Sequence, residues 1–358
     1  MPPYSQADQA PAVGILGTGS YLPERTVPNE EIAPAAGVVP EWIENRTGIV
    51  ARRRAAPHQA TSDLAALAAT RALAAAGLPA DRIDVIVLAT STPDHPQPAT
   101  ASIVQHLIGA GQAAAVDVNA VCSGFVYALA MAEGLLRVRG GGHALVIGAD
   151  VYSRILDYSD RRTAVLFGDG AGAVVLGPVA ADRGLLHTVL RGHGDAHRLI
   201  SVPAGGSRTP PSESTVREGG HFFRMDGRGV REFVSAELPQ AIAELLRENG
   251  LSPEQIDHFV PHQANGEMLR SLLPSLGLPE SALRLTVREF ANTGSASVPI
   301  TLDAVFASGV LRPGQLVLLA GFGGGMNVGL TLLRWGVDAP APVLSSGRSG
   351  QERHVLTV

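Results

Sequence analysis

The chain has 358 residues, of which 45% are apolar and 17% charged, a balance that excludes a disordered or fibrous chain and leaves room for one large or two medium globular domains. A net charge of −5 offers no basic field for nucleic acid, and all 28 basic residues are arginine, which excludes lysine Schiff-base chemistry and a lysine-anchored pyridoxal cofactor. The single cysteine excludes intrachain disulfides and a cysteine-based zinc cluster.

Residues 1–10 lack periodicity and read as a loose tail. No basic stretch followed by a long apolar run opens the chain, so a cytoplasmic location is the expectation. No uninterrupted apolar stretch reaches about 18 residues, so no membrane span is expected. Leu64–Ala76 reads as an Ala/Leu-rich helix closed by Gly77, and Val85–Leu88 as the strand after it. Ala113–Val118 reads as a strand leading through Cys122 into a helix, Val126–Leu136, and then a strand, His143–Ile147. Pro203–Gly220 is polar and reads as a long surface loop. Val234–Asn249 is again helical and closes at Gly250. The strand Phe259–Val260 precedes His262, and Leu285–Val287 reads as a strand leading to Asn292. A helix over Val298–Val310, a strand over Leu316–Ala320 and a polar tail over 338–358 complete the order.

Helix, capping glycine, short loop and Ile-Asp into a strand occur at Gly77–Asp84 and again at Gly250–Asp257, 173 residues apart. This spacing predicts a duplicated α/β fold with halves at 11–178 and 179–337. Continuous apolar strands imply mostly parallel sheets covered by helices, with strand ends meeting at a shared centre. Cys122, His262 and Asn292 each follow the C-terminal end of a predicted strand. A thiol at a helix N-terminus is drawn towards thiolate, although a free cysteine is as often a small core residue. Taken alone, His262 reads as structural and Asn292 as a helix cap or turn residue. Gly17-Thr18-Gly19-Ser20-Tyr21-Leu22 lacks the third glycine of a dinucleotide fingerprint. His187, His193, Asp195 and His197 have ligand-like spacing but sit in a glycine-rich stretch that reads as a loop without metal.

Taken together, the segments resemble the β-ketoacyl synthase III family of thiolase-fold condensing enzymes from about Gly14 to Trp335. The resemblance includes Glu41-Trp42-Ile43-Glu44-Asn45-Arg46-Thr47-Gly48-Ile49, Phe167-Gly168-Asp169-Gly170-Ala171-Gly172-Ala173, Gly321-Phe322-Gly323-Gly324-Gly325 and Leu332-Leu333-Arg334-Trp335. It implies a layered αβαβα architecture and a homodimer. It also implies an acyltransferase that uses acyl-CoA as substrate, with no cofactor and no metal. By the same resemblance Cys122 carries the acyl group, and the N–H groups of Cys122 and Gly324 hold the oxyanion. His262 and Asn292 then stabilise the enolate left when a malonyl thioester loses CO₂. Trp42, Arg46, Arg161, Gly227 and Asn265 match positions that bind CoA and substrate, and Gln97 matches a position that caps the acyl pocket across the dimer.

The chain departs from the family where basic residues receive an acidic acyl carrier protein. Glu232 and Glu267 stand at two such positions, and Pro274 and Ser275 at two more. Gln97 replaces a bulky apolar residue, and Arg228 replaces an Asn beside the pantetheine arm. These departures imply a small-molecule acceptor or a carrier protein docked through Arg228, Arg231 and Arg270. They suit a polyketide or other specialised pathway better than housekeeping fatty-acid synthesis. An O- or N-acyltransferase without decarboxylation is the alternative.

Overall fold

The computed structural model describes residues 11–338, so the N-terminal tail and nearly all of the C-terminal one lie outside the described residues. Two main sheets are built from β1 (Ala12–Tyr21), β2 (Val85–Ala89), β3 (Ala114–Val118), β4 (Ala144–Val151), β5 (Asp169–Val179), β6 (Gly184–Gly192), β7 (His258–Pro261), β8 (Leu316–Gly323) and β9 (Asn327–Arg334). The helices that position the site are α1 (Pro40–Thr47), α2 (Thr61–Ala76), α3 (Thr100–Ile108), α4 (Gly124–Arg139), α5 (Gly227–Glu248), α6 (Gly266–Leu276) and α7 (Ser297–Ala307).

The first sheet has the order β1-β5-β4-β2-β3 and the second β7-β8-β9-β6. β2, β4 and β8 are buried along their whole length, as continuous apolar strands covered on both faces must be. α4 and α7 share a core with strands of both sheets and form the middle layer. α2 and α3 cover the outer face of the first sheet, and α5 and α6 that of the second. The result is the αβαβα layering of the thiolase fold. Gly77, Gly140 and Gly277 close α2, α4 and α6 in the left-handed conformation that a side chain resists.

The sheets are mixed, where mostly parallel ones were expected. β2 pairs parallel with β3 and β4, and β7 with β8. The pairs β1/β5, β4/β5, β8/β9 and β9/β6 run antiparallel. Only the short turn Gly324–Met326 separates β8 from β9, too few residues for the crossover that a parallel pair requires. The strand expected at Leu285–Val287 is absent. Both N–H groups of Thr286 and Val287 donate to the buried Gln263 side chain, and the chain coils into a short helix, Val287–Phe290. What remains of strand pairing there is one bridge from Phe259 to Leu283.

α5 begins at Gly227, two turns before the expected Val234. Asp226 caps it by accepting from Arg228 and Gly229, while its first residues, Gly227-Arg228-Gly229, carry no apolar side chain to mark the start. The polar stretch 203–220 holds a short helix, Glu213–Arg217, capped by Ser212. Val121–Arg139 is long and apolar enough by mean hydropathy (1.4) to cross a membrane, although Glu133 and Arg137 interrupt it. Half of it is buried between the two sheets, the environment that its composition serves here.

α2 lies tight on β1 because β1 carries glycine where they touch. A Cβ on Gly19 would stand 2.3 Å from the Ala72 nitrogen, whereas one on Gly111 would meet nothing within 4 Å. Gly19→Ala should therefore cost about 1–3 kcal/mol by overpacking, read as a lowered urea midpoint, while Gly111→Ala should leave the midpoint nearly unchanged. Equal midpoints for the two variants would contradict this packing.

Candidate active site

The two halves meet through a reciprocal close approach. Gly148 on β4 faces the Ser295 carbonyl, where a Cβ would stand at 2.4 Å; Gly321 on β8 faces Ser123, where a Cβ would stand 2.8 Å from its Cα. The two glycines lie 173 residues apart, the spacing of the duplication. Each central strand therefore leaves room for the turn that opens the other half's buried helix, α7 or α4. Those turns carry Asn292 and Cys122.

Cys122 sits on the turn Val121–Ser123 at the start of α4 and is 5% exposed. Its sulfur is reached by its own N–H and by that of Gly324. Gly323 makes this possible, since a Cβ there would lie 2.7 Å from the Cys122 Cβ. Three non-glycine residues among the described ones have left-handed φ: Val121 (46°), Ala291 (58°) and Met326 (53°). Each lies within two residues of Cys122, Asn292 or Gly324. Such strain costs about 1–3 kcal/mol per residue and marks turns that the surroundings over-determine.

His262 follows β7 directly. Its N–H donates to the Ala320 carbonyl of β8 (2.7 Å), and its ring stands edge-on to Phe322 at 5.4 Å. Nδ1 and the Ser297 hydroxyl are 2.7 Å apart, and Ser297 also accepts the Gln263 N–H (3.2 Å). Asn292 is held by backbone bonds on both sides, donating to the Leu166 carbonyl (2.9 Å) and accepting from Gly168 (3.0 Å). No strand leads into it, contrary to expectation; it forms a parallel bridge with Phe167. Its Oδ1 accepts the Gly294 N–H at 2.9 Å, which fixes the amide orientation and leaves both Nδ2 hydrogens to donate.

Both titratable groups are neutral at rest. Burial, with the Asp150 charge behind it, pushes the Cys122 thiol up to about 12, and the two N–H groups only partly oppose this. The expectation of a thiol drawn towards thiolate is thus reversed, because desolvation at this depth outweighs the helix terminus. Burial likewise lowers His262 to about 3.

Trp42 and Arg46 share α1, and the Arg161 guanidinium stands 5.9 Å from the Trp42 ring centroid. An aromatic ring between two such planes needs about 7 Å, twice a van der Waals contact, so the pair must part by about 1 Å to admit an adenine. The Asn265 amide is already committed: Oδ1 caps α6 through Met268, and Nδ2 holds the Arg46 carbonyl. Gly227 opens α5 and is exposed, as is Gln97 in the loop before α3. At the positions where the sequence lacks basic residues, Arg228 pairs with Glu232 (2.8 Å) and Arg270 with Glu267 (2.9 Å). Of the histidines with ligand-like spacing, His187 faces Glu248 and Asn249, His193 faces Glu237, and His197 bonds the Gly194 carbonyl.

Sequence reasoning missed Asp150, Ser295, Ser297 and Gln263, all buried and all bonded to the turns that carry the three candidate residues. Their signal was weak, since Ser and Gln leave no pattern. An aspartate inside an otherwise apolar strand, Ala144–Val151, was the one visible hint.

Residues 116–194 match the family model described as 3-Oxoacyl-[acyl-carrier-protein (ACP)] synthase III, and residues 246–335 match its C-terminal companion. An acetoacetyl-CoA synthase of Streptomyces sp. strain CL190 is 54% identical over 323 residues, covering 90% of this chain and 98% of the relative. A β-ketoacyl-acyl-carrier-protein synthase III of Rhodospirillum centenum is 47% identical over 325 residues, covering 90% and 98%. The crystal structure of the priming β-ketosynthase from the R1128 polyketide biosynthetic pathway superposes with a TM-score of 0.86 at 33% identity, covering 92% and 98%.

With the thiol near 12, the thiolate fraction rises about tenfold per pH unit throughout the neutral range. Iodoacetamide labelling of Cys122, followed by intact mass, should climb at that rate from pH 7 to about 10; a plateau by pH 8 would show a thiolate already formed at rest. Gly323→Ala should abolish labelling by an acyl-CoA, because its Cβ, 2.7 Å from the Cys122 Cβ, pushes the sulfur away from the Gly324 N–H.

Proposed function

This chain belongs to the 3-oxoacyl-(acyl-carrier-protein) synthase III family and is an acyltransferase, and we propose that it joins an acyl-CoA to a malonyl thioester by decarboxylative condensation through an acyl group held on Cys122. The observation that carries this reading is the Asn292 amide, whose Oδ1 accepts the Gly294 N–H, so that Nδ2 is left as a donor.

In the first half-reaction the Cys122 sulfur attacks the thioester carbonyl. The negative charge gathers on the carbonyl oxygen, where the N–H groups of Cys122 and Gly324 receive it. The thiol proton ends on the departing CoA sulfur, so a site neutral at rest bears charge only while the transition state lasts. In the second half-reaction His262 Nε2 and Asn292 Nδ2 donate to the carbonyl oxygen of the malonyl thioester. The C–C bond to the carboxylate breaks, CO₂ leaves, and the electron pair forms an enolate. Its carbon attacks the acyl-Cys carbonyl, and the Cys122 sulfur departs and takes up one proton from solvent. Each donor contributes about 3 kcal/mol to such a step. Transfer to an oxygen or nitrogen acceptor without decarboxylation is less well supported, since it leaves a second donor pair without a task.

The acceptor is a CoA-borne malonyl group. A carrier protein is acidic and is steered by unpaired basic charge, but Arg228 and Arg270 are each neutralised by an adjacent glutamate. Arg161 over Trp42 suits a CoA nucleotide. The name of the Streptomyces relative points the same way, and the priming ketosynthase supports service to a specialised or polyketide pathway.

The chain works as a homodimer. β3 is an edge strand with Val116 45% exposed, and Leu107 and the α4 stripe Met131, Leu135 and Val138 are also open. A second copy pairing there covers this surface and brings its own Gln97 towards the acyl pocket.

Intact mass after incubation with acyl-CoAs should show an adduct that Cys122→Ala lacks. CO₂ release from malonyl-CoA should fall about 10²-fold or more in His262→Ala and in Asn292→Ala. Malonyl-CoA should outperform malonyl carrier protein, and Glu232→Lys with Glu267→Lys should narrow that gap. An acylated enzyme that releases no CO₂ would overturn the condensation. Light scattering should give twice the mass of one chain.

A further inference from the structure

Asp150 is the polar group that ties the candidate site together, yet none of the steps above uses it. It lies at the end of β4 and is fully buried. Oδ1 accepts from the Ser91 N–H (2.9 Å), the Ser91 hydroxyl (3.0 Å), the Thr92 hydroxyl (2.8 Å) and the Thr90 hydroxyl (3.2 Å). Oδ2 accepts from the Ser295 N–H (2.8 Å) and the Ser295 hydroxyl (2.7 Å). The carboxylate thus spans the two halves, with one oxygen on the loop after β2 and the other on the turn before α7. Buried carboxylates survive only where such bonds replace water.

The second oxygen matters for the reaction. Ser295 follows Gly294, whose φ is 59° and where a Cβ would stand 2.4 Å from Asp150 Oδ2 and 2.5 Å from the Tyr152 ring. Gly294 in turn donates its N–H to Asn292 Oδ1. A continuous chain of bonds therefore runs from Asp150 through Ser295 and Gly294 to the Asn292 amide.

We propose that Asp150 is a positioning residue for the condensing half-reaction: by holding Ser295 it aims the Asn292 Nδ2 at the enolate oxygen. The inference rests on the reading of Asn292 as the enolate donor. A fall in CO₂ release with acylation of Cys122 kept is a signature that plain structural support lacks. The titratable groups bearing on this corner are Asp150, Tyr152 and Cys122. Tyr152 donates to or accepts from the Ser91 hydroxyl (2.8 Å) and stays neutral, burial holding it well above its ordinary value. Burial raises Asp150 from its ordinary value, and the bonds from Ser91, Ser295 and Thr92 oppose this by favouring the carboxylate.

The test compares Asp150→Asn, Ser295→Ala and Asn292→Ala in the purified full chain. Three readouts are taken: iodoacetamide labelling of Cys122 against pH, acyl-adduct formation from acyl-CoA, and CO₂ release from malonyl-CoA. Asp150→Asn should keep acylation of Cys122 yet slow CO₂ release about 10²-fold, the cost of misplacing a reacting group by about 1 Å. Ser295→Ala should slow CO₂ release with labelling and acylation unchanged. CO₂ release at the parent rate in both variants, with Asn292→Ala inactive, would overturn the inference and spare the reading of Asn292. Labelling, acylation and CO₂ release all falling together would reduce Asp150 to a structural role. Full CO₂ release in Asn292→Ala would remove the reading of Asn292 and this inference with it. Should Asp150→Asn fail to fold, Ser295→Ala decides alone: unchanged CO₂ release overturns the aiming of Asn292.

Discussion

Glycine on each central strand, at Gly148 and Gly321, lets the turn that opens the other half's buried helix cross at backbone contact. The placement of Cys122 and Asn292 depends on that crossing. A methyl group at either position would separate the halves by more than a packed interior tolerates, and the two turns would no longer meet each other. The duplication makes the crossing reciprocal, but the copies have diverged. The first half keeps a fifth strand beside its helix, whereas the second has reduced it to the bridge at Leu283 and uses the freed chain to place Asn292.

The crossing also sets the electrostatics. Turns packed against strand centres exclude water, so burial dominates both Cys122 and His262 and keeps each neutral. In that dry setting a few aimed N–H groups count for more than a preformed thiolate, because they act on charge only as it develops. Backbone strain at Val121, Ala291 and Met326 belongs to the same design. The surrounding layers hold these residues in conformations that they would not adopt alone.

Outside the site the surface tells a different story from the core. Core and catalytic turns follow the family pattern, while the mouth has exchanged basic residues for arginine–glutamate pairs. Exposed pairs of this kind add little to stability. Their place is the rim of the site rather than the core, so the exchange leaves the fold untouched.

The sequence by itself determined the layered α/β architecture, the duplication, the order of helices and strands, and Cys122, His262 and Asn292 as the candidate residues. Those features are written locally, in apolar periodicity, capping glycines and motifs that single segments carry. Only the tertiary structure decided the antiparallel pairings, the loss of the strand at Leu285–Val287, the neutral state of Cys122 and the commitment of Asn265 to capping α6. It alone brought Asp150 to Ser295, 145 residues away. Each of these depends on which distant groups share a buried space, and neither desolvation nor a hydrogen bond between remote residues leaves a mark on the neighbouring sequence.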